Sequence, residues 1–409
     1  MTGSSLILRA ACRGCLVGAA VLAVAACGVS GGGAGPGTGS PAAATPSDCA
    51  LVSRVPLPGP AHPMIVLVVD NTSSGPVSTL PSSVAAVLRR EQAAQAQLVI
   101  LGVNGAGTNP LLVTDVALDP DPGHTSREAD AARAITIACV PRWIASKAAM
   151  PTRPGSDILG AVNGAVRRAP AQIIVMSDGL DNVDPLDLNT IGYGNDPRSV
   201  IASLNATHSI DHAGSSTPVL WADLGVTVKP VPGAVRASLK LMWAAILRSA
   251  GTSVTFTPDE AQAGTPRSSA PADVVRLPAV HAASFGCHTT VTVPTDLLFQ
   301  PGDAHLQAGT GLLDGVRDEM LSQPRSAAII SGHTAAYDSA AYRQNLSVAR
   351  AQAVAQALEA GGISKGRLHV VGYGSTRPAV DEFPDGRHDL AAAAANRRVI
   401  ITITQGGCA

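Results

Sequence analysis

Met64-Ile-Val-Leu-Val-Val-Asp70, followed by Asn71-Thr72-Ser73-Ser74, is an unbroken apolar run that ends in a polar loop. A strand with one wet face alternates apolar and polar residues, whereas a strand apolar at every position is buried on both faces, as in a parallel sheet sandwiched by helices. The same pattern returns at Gln97 to Val103, Gln172 to Met176 and Val219 to Leu224. Helix-like segments lie between these runs at Val84 to Gln97, Ser126 to Ala148, Ile158 to Arg168 and Ala234 to Ser249. Alternating buried strands and helices predict an α/β domain over residues 49–258, with a mainly parallel sheet and helices on both faces.

Outward from this domain, the N-terminus reads as targeting rather than fold. Arg9 and Arg13 precede an uncharged run from Cys15 to Ala26, too short for a permanent membrane span and built like an export signal over residues 1–26. The run ends Val24-Ala-Ala-Cys27-Gly28, which resembles the lipobox of bacterial lipoproteins; the resemblance implies a lipid on the Cys27 sulfur and a membrane anchor. An ordinary cleaved signal with Cys27 incidental is the bland alternative. Gly, Ser, Pro and Ala dominate residues 27–48, the composition of a flexible tether.

Of seven cysteines, Cys12 and Cys15 leave with the signal and Cys27 takes the lipid, so Cys49, Cys139, Cys287 and Cys408 remain. An even number in an exported chain suggests two disulfides. Three connectivities are possible, and Cys49–Cys139 with Cys287–Cys408 keeps each bridge within one domain. No two of the four are close enough for a zinc knuckle. Aromatic residues are 3% and charged residues 14%, so the cores must be aliphatic. A net charge of −1 with no basic stripe argues against nucleic acid as a partner.

Residues 259–286 contain an Ala/Pro/Ser-rich stretch from Ala261 to Ala283 that reads as a linker. A second domain, residues 287–409, is expected to be α+β: a strand at Leu297 to Gln300, a helix near Gly311 to Leu321, a strand at Ala327 to Ser331, a helix from Leu346 to Ala360, and strands at Leu368 to Gly372 and Arg398 to Thr404. Five motifs stand in order here: Thr295-Asp-Leu-Leu-Phe-Gln300, Ile330-Ser-Gly-His-Thr334, Asn345-Leu-Ser-Val-Ala-Arg-Ala351, Val371-Gly-Tyr-Gly374 with Pro378, and Asn396-Arg-Arg-Val399. Together they resemble the OmpA-like peptidoglycan-binding family along nearly the whole domain.

Ser347 precedes Arg350 and an Ala-rich segment, so it is expected to cap a helix whose positive end faces His333 and Thr334. The resemblance implies that this loop and helix receive the diaminopimelate of the peptidoglycan stem peptide. Arg350 matches the family arginine that grips the carboxylate, for which a guanidinium offers two parallel hydrogen bonds. Asn345 and Arg397 complete the expected set. The sequence departs from the family at Ala335, where an aspartate grips the ligand ammonium, and at Arg343, where asparagine is usual. Asp338 is the nearest carboxylate that can replace the missing one. His333 reads as a structural hydrogen-bonding residue, and Arg397 and Arg398 as either pocket-facing or a solvated strand entry.

In the first domain, Asp70-Asn-Thr72-Ser-Ser74, Gly155-Ser156-Asp157 and Met176-Ser-Asp178 fall where an open α/β sheet binds ligands, beyond the carboxyl ends of its strands. The arrangement resembles the von Willebrand factor A fold and its metal-ion-dependent adhesion site. The resemblance implies that Asp70, Thr72, Ser74, Ser156 and Asp178 hold Mg2+, a cation suited to hydroxyls, carboxylates and retained water, with an open position for a protein partner's carboxylate. The same residues are ordinary loop and cap formers that need no metal.

No Gly-x-Ser-x-Gly elbow, His-Glu-x-x-His pair or Cys/His nucleophile spacing supports an enzyme such as an envelope hydrolase. The expected role is an envelope lipoprotein that holds peptidoglycan and displays an adhesion or scaffold domain. A structural lipoprotein with two defunct pockets is the alternative.

Overall fold

The computed structural model describes residues 44–75, 79–107, 109–214, 216–228, 230–257, 274–307 and 311–407. The expected signal, Cys27, most of the tether and Cys408 lie outside the described residues. The tether, expected to run to residue 48, gives way earlier to helix α1, Pro46–Val52, capped by a reciprocal Thr45–Asp48 pair.

Six strands form the first sheet: β1 Met64–Val69, β2 Gln97–Gly102, β3 Leu111–Ala117, β4 Gln172–Met176, β5 Thr217–Ala222 and β6 Thr252–Phe256, in the order β3-β2-β1-β4-β5-β6. All pairings are parallel except β2 with β3. Successive side chains of a strand point to opposite faces, so β1 divides its residues between two cores. Val66 and Val68 pack with α4 (Ile158–Val166) and α7 (Gly233–Ser249) on one side. Ile65, Leu67 and Val69 pack with α2 (Ser82–Ala93) and α3 (Arg127–Ile144) on the other. The expected Cys49–Cys139 disulfide ties α1 to α3. Two short helices, α5 (Leu188–Ile191) and α6 (Pro197–Ala206), follow β4.

The second sheet has the order β10-β9-β11-β8-β7, from β7 His281–Phe285, β8 His288–Pro294, β9 Ala327–Gly332, β10 Leu368–Gly372 and β11 Arg398–Thr404. β10 and β9 are parallel and the other pairs antiparallel. Helices α8 (Asp314–Ser322) and α9 (Ala340–Ala360) cover one face, while the short α10 (Leu390–Asn396) leads into β11. β8 and β11 bury alternate residues, as expected for a sheet with one covered face.

Three expectations are corrected here. Leu297 to Gln300 is not a strand: Thr295–Leu297 form a 3-10 turn, and β8 just before it opens the sheet. The run is apolar because it plugs two cores at once, Leu297 entering that of the first domain and Leu298 and Phe299 that of the second. His281–Phe285, expected within the linker, pairs with β8 and so belongs to the second sheet. Ser347 does not cap α9. The cap is Ser339, whose hydroxyl accepts a hydrogen bond from the Tyr342 N–H, and Ser347 is buried a further two turns along.

Two glycines set how closely α9 lies on its sheet. A methyl at Gly332 would overlap the Ser347 carbonyl oxygen and approach its carbonyl carbon to 2.8 Å. A side chain at Gly372 would run into Ser347 and Val348. Ser347 Oγ also accepts a hydrogen bond from Gly374 N at 2.9 Å, fixing the helix to the turn after β10.

Candidate functional site

The loop after β9, the Pro301-Gly302 turn, the start of α9 and the segment leading into α6 enclose a cavity of about 200 Å³. It therefore has walls from both domains. Thr334, Ala335 and Arg350 line it from the second domain, with Arg397 at the foot of β11; Gly194, Asp196 and Arg198 line it from the first. Four arginines and two aspartates border the space, Arg343 and Asp338 being the remaining two, so the balance of charge favours an anionic ligand.

Arg350 is buried. Its Nε donates to Asp303 O at 2.8 Å and its Nη2 to Gln300 O at 3.4 Å, and the guanidinium lies 5.3 Å from the Phe299 ring centre. Burial, helped by the charge of Arg397, pushes its pKa down to about 10, so it stays cationic at neutral pH. Two of its donors are spent on backbone, and the Nη1 amino group makes no hydrogen bond among the described residues. Arg397, 4% exposed, donates from Nη1 to Asn195 Oδ1 at 2.6 Å, and its Nε stands 3.5 Å from Asp296 Oδ1. Neither Nε nor Nη2 of Arg397 has a hydrogen-bond partner among the described residues, and the same holds for Thr334 Oγ1. Buried donors without partners are costly, each by about 1 to 3 kcal/mol, which marks these two as groups poised for a ligand.

The structure brings Arg350, Thr334, Arg397 and Asp338 to one cavity, and leaves two other expected residues outside it. Asn345 is exposed on the outer side of α9, because the helix begins at Ser339 and presents Leu346 and Arg350 inward instead. His333 is buried behind the loop, 5.3 Å from the Tyr373 ring. Burial and then the Arg398 charge push its pKa down to about 4, so it is neutral and structural. Arg397 is the pocket-facing arginine, whereas Arg398 bonds to the Asn396 and Arg377 carbonyls.

Sequence reading missed the whole contribution of the first domain. Asn195 Oδ1 accepts from Tyr337 Oη at 2.7 Å as well as from Arg397. Asp296 Oδ2 accepts from the backbone N–H groups of Tyr193 and Gly194 at 3.1 and 2.8 Å. Arg198 Nη2 lies 3.3 Å from Asp338 Oδ2. The only signal in the sequence is the polar density of Gly194-Asn-Asp-Pro-Arg198, which reads equally well as a helix cap.

Between β1 and β4 the strand order reverses, and the crevice beyond their ends holds the other expected cluster. Asp70 Oδ1 accepts from Thr72 N at 3.0 Å and Thr72 Oγ1 at 2.7 Å, Thr72 and Ser74 hydroxyls are 3.2 Å apart, and Ser177 Oγ donates to Asp70 Oδ2 at 2.8 Å. Gly75 meets Asp178 so closely that a methyl there would come within 2.8 Å of Oδ2. Ser156 is fully buried in the loop before α4, its N–H donating to Asn182 Oδ1 at 2.7 Å. Asp181, at the end of the same loop as Asp178, is completely buried, and desolvation first and the Asp157 charge second hold its carboxyl well above the usual range. Among the described residues no three His, Cys, Asp or Glu side chains form a metal-holding group.

Comparison with known proteins bears on the second domain alone. The model of the OmpA family matches residues 298–389, the segment from Leu298 through α9 and β10 into the loop before α10. The C-terminal domain is an OmpA family domain. Outer membrane porin F of Pseudomonas fluorescens is 36% identical over 89 residues, 22% of this chain and 26% of that protein. The peptidoglycan-associated lipoprotein of Legionella pneumophila is 38% identical over 80 residues, 20% of this chain and 43% of that protein. The chain thus spans about a quarter to under a half of these relatives. Among solved structures, the cell wall anchor of the T6SS from Pseudomonas aeruginosa is 27% identical, with 31% of this chain and 87% of that one covered and a TM-score of 0.28. Within the OmpA family domain lie Thr334, Ala335, Asp338 and Arg350, whereas Arg397 and the first-domain wall of the cavity lie beyond the matched residues. No helix among the described residues is long and apolar enough to cross a membrane.

Proposed function

We propose that this chain is an exported envelope lipoprotein, anchored through Cys27, whose OmpA family domain holds peptidoglycan non-covalently by a diaminopimelate carboxylate. The observation that carries this reading is the convergence of two unpartnered buried donors, Thr334 Oγ1 and Arg397 Nη2, on the cavity that Arg350 also lines. A ligand carboxylate satisfies both at once, and the charge-assisted bonds to arginine supply the larger share of affinity. The name of one relative, a peptidoglycan-associated lipoprotein, agrees with such a role. The groups that the cavity offers a ligand are hydrogen-bond donors and charge, which suit binding.

Thr334→Val tests the reading. Valine fills the same volume without a hydroxyl, so it removes an unsatisfied buried group and should raise stability by about 1 kcal/mol while lowering retention on peptidoglycan. Lost stability with unchanged retention would show that the hydroxyl serves the fold and not the ligand.

For the first domain we propose a von Willebrand factor A-like adhesion module that presents the Asp70 crevice to a protein partner. The strand order with one antiparallel edge and the Asp70–Thr72–Ser74 bonding support it. Thr72, Ser74 and Asp178, with Asp70 and Ser156 behind them, are the groups that would hold Mg2+, and the cation would supply the positive charge for a partner carboxylate. Millimolar Mg2+ should then raise the melting temperature, and an unchanged value would leave these residues as loop and cap formers.

A further inference from the structure

Ala335 is 2% exposed and lines the cavity at the position where the family resemblance implies an aspartate. Two other carboxylates stand on the same cavity, one from each domain. Asp196 closes the N-terminus of α6, its Oδ1 accepting from the Arg198 N–H at 2.9 Å. Asp338 sits just before α9 with φ +57°, a conformation aspartate tolerates, and its carbonyl is held by Arg343 Nη1 at 2.7 Å. A single nitrogen lies between them: Arg198 Nη2 is 2.5 Å from Asp196 Oδ2 and 3.3 Å from Asp338 Oδ2. One cation at that point therefore touches a carboxylate of each domain.

Arg198 is a poor permanent occupant. Its side chain is 74% exposed, and an ion pair on so open a side chain contributes little and is readily exchanged for another cation. Deeper in the cavity, Thr334 Oγ1 and Arg397 Nη2 are buried donors with no partner among the described residues. The cavity therefore offers acceptors for a cation at its mouth and donors for an anion in its interior. That pairing fits a zwitterion, an ammonium and a carboxylate borne on one carbon, as at the free end of a diamino dicarboxylic acid.

We propose that ligand recognition is shared between the two domains: Asp196 and Asp338 take the ligand ammonium in place of Arg198, supplying the charge that Ala335 does not. The inference rests on the wall-binding reading of the OmpA family domain and deepens it, since the first domain becomes part of the site. It also makes Arg198 a competitor of the ligand rather than a contributor to it.

The test titrates the full mature chain with meso-diaminopimelate and with pimelate, which keeps both carboxylates and lacks both ammonium groups. Asp196→Asn, which preserves the helix cap, and Asp338→Asn should each weaken diaminopimelate binding about 10-fold and leave pimelate binding unchanged. Arg198→Ala should strengthen diaminopimelate binding several-fold. If Asp196→Asn fails to fold, Asp338→Asn and Arg198→Ala still decide the matter. Unchanged affinity in the asparagine variants, equal loss for both ligands, or weakening by Arg198→Ala would overturn the shared clamp while leaving wall binding standing. A wild-type chain that binds neither small ligand nor peptidoglycan would overturn the wall-binding reading and the clamp with it.

Discussion

Asn195→Ala probes the join between the two domains most sharply. Asn195 is fully buried, and its Oδ1 receives both the Tyr337 hydroxyl at 2.7 Å and Arg397 Nη1 at 2.6 Å. Truncation removes two neutral hydrogen bonds, from the Tyr337 hydroxyl and from Asn195 Nδ2 to Ile191 O, about 1 kcal/mol each, and one from a buried cation, about 1.5 to 3 kcal/mol. Arg397 already has two donors without partners, so it would keep only the 3.5 Å approach to Asp296 to balance its charge. The expected loss is about 3 to 5 kcal/mol, the larger part of it at the interface. All three tryptophans, Trp143, Trp221 and Trp243, belong to the first domain, so their fluorescence reports it alone while far-ultraviolet circular dichroism reports both. Urea titration should give coincident transitions for the wild type and an earlier dichroism transition, separated from the fluorescence one, for the variant. A change below about 0.5 kcal/mol with coincident transitions would refute the claim that Asn195 couples the domains.

The neutral state of His333 sets a pH dependence. Its folded pKa of about 4 lies below the ordinary 6.5, so its contribution is fully present above 6.5 and lost as pH falls toward 4. His333→Gln should therefore lose about 2 to 3 kcal/mol less than wild type between pH 7 and pH 4.5 in urea titrations, and parallel losses would contradict the assignment. Gly332→Ala should push α9 off β9 and cost several kcal/mol, read as loss of the second-domain transition with tryptophan fluorescence intact. Breaking the Cys49–Cys139 bridge, which closes a separation of 90 residues, should cost the first domain about 2 to 4 kcal/mol, and an unchanged fluorescence midpoint in the double serine variant would count against it.

The parts of the fold legible in sequence were those with a pure burial signal. Strand β1 is apolar throughout, and β2 and β4 after their first glutamine, because both faces are covered. β3 escaped notice because it is an edge strand with a half-exposed pattern, and β7 because all five of its residues are exposed and only pairing defines it. Sequence alone does not fix the start of α9, because Ser339 and Ser347 both precede helix-forming residues. The left-handed turn at Asp338 and the hydrogen bond to Tyr342 N decide between them, and neither is visible before the chain folds. Arg350, Thr334 and Arg397 could be named from motif order. Asn195 and Arg198 could not, since their partners Tyr337, Arg397 and Asp338 stand 140 or more residues away and meet them only once the two domains dock, and Asp196 joins that cluster through Arg198.

On the proposed reading the OmpA family domain grips the stem peptide although Ala335 stands where an aspartate is expected. Sedimentation of the purified mature protein with diaminopimelate-containing peptidoglycan, with and without free meso-diaminopimelate, tests it most directly. The protein should pellet with the wall material and be released by the free amino acid but not by an equal concentration of L-lysine. A protein that stays in the supernatant, or that pellets and ignores the competitor, would contradict it.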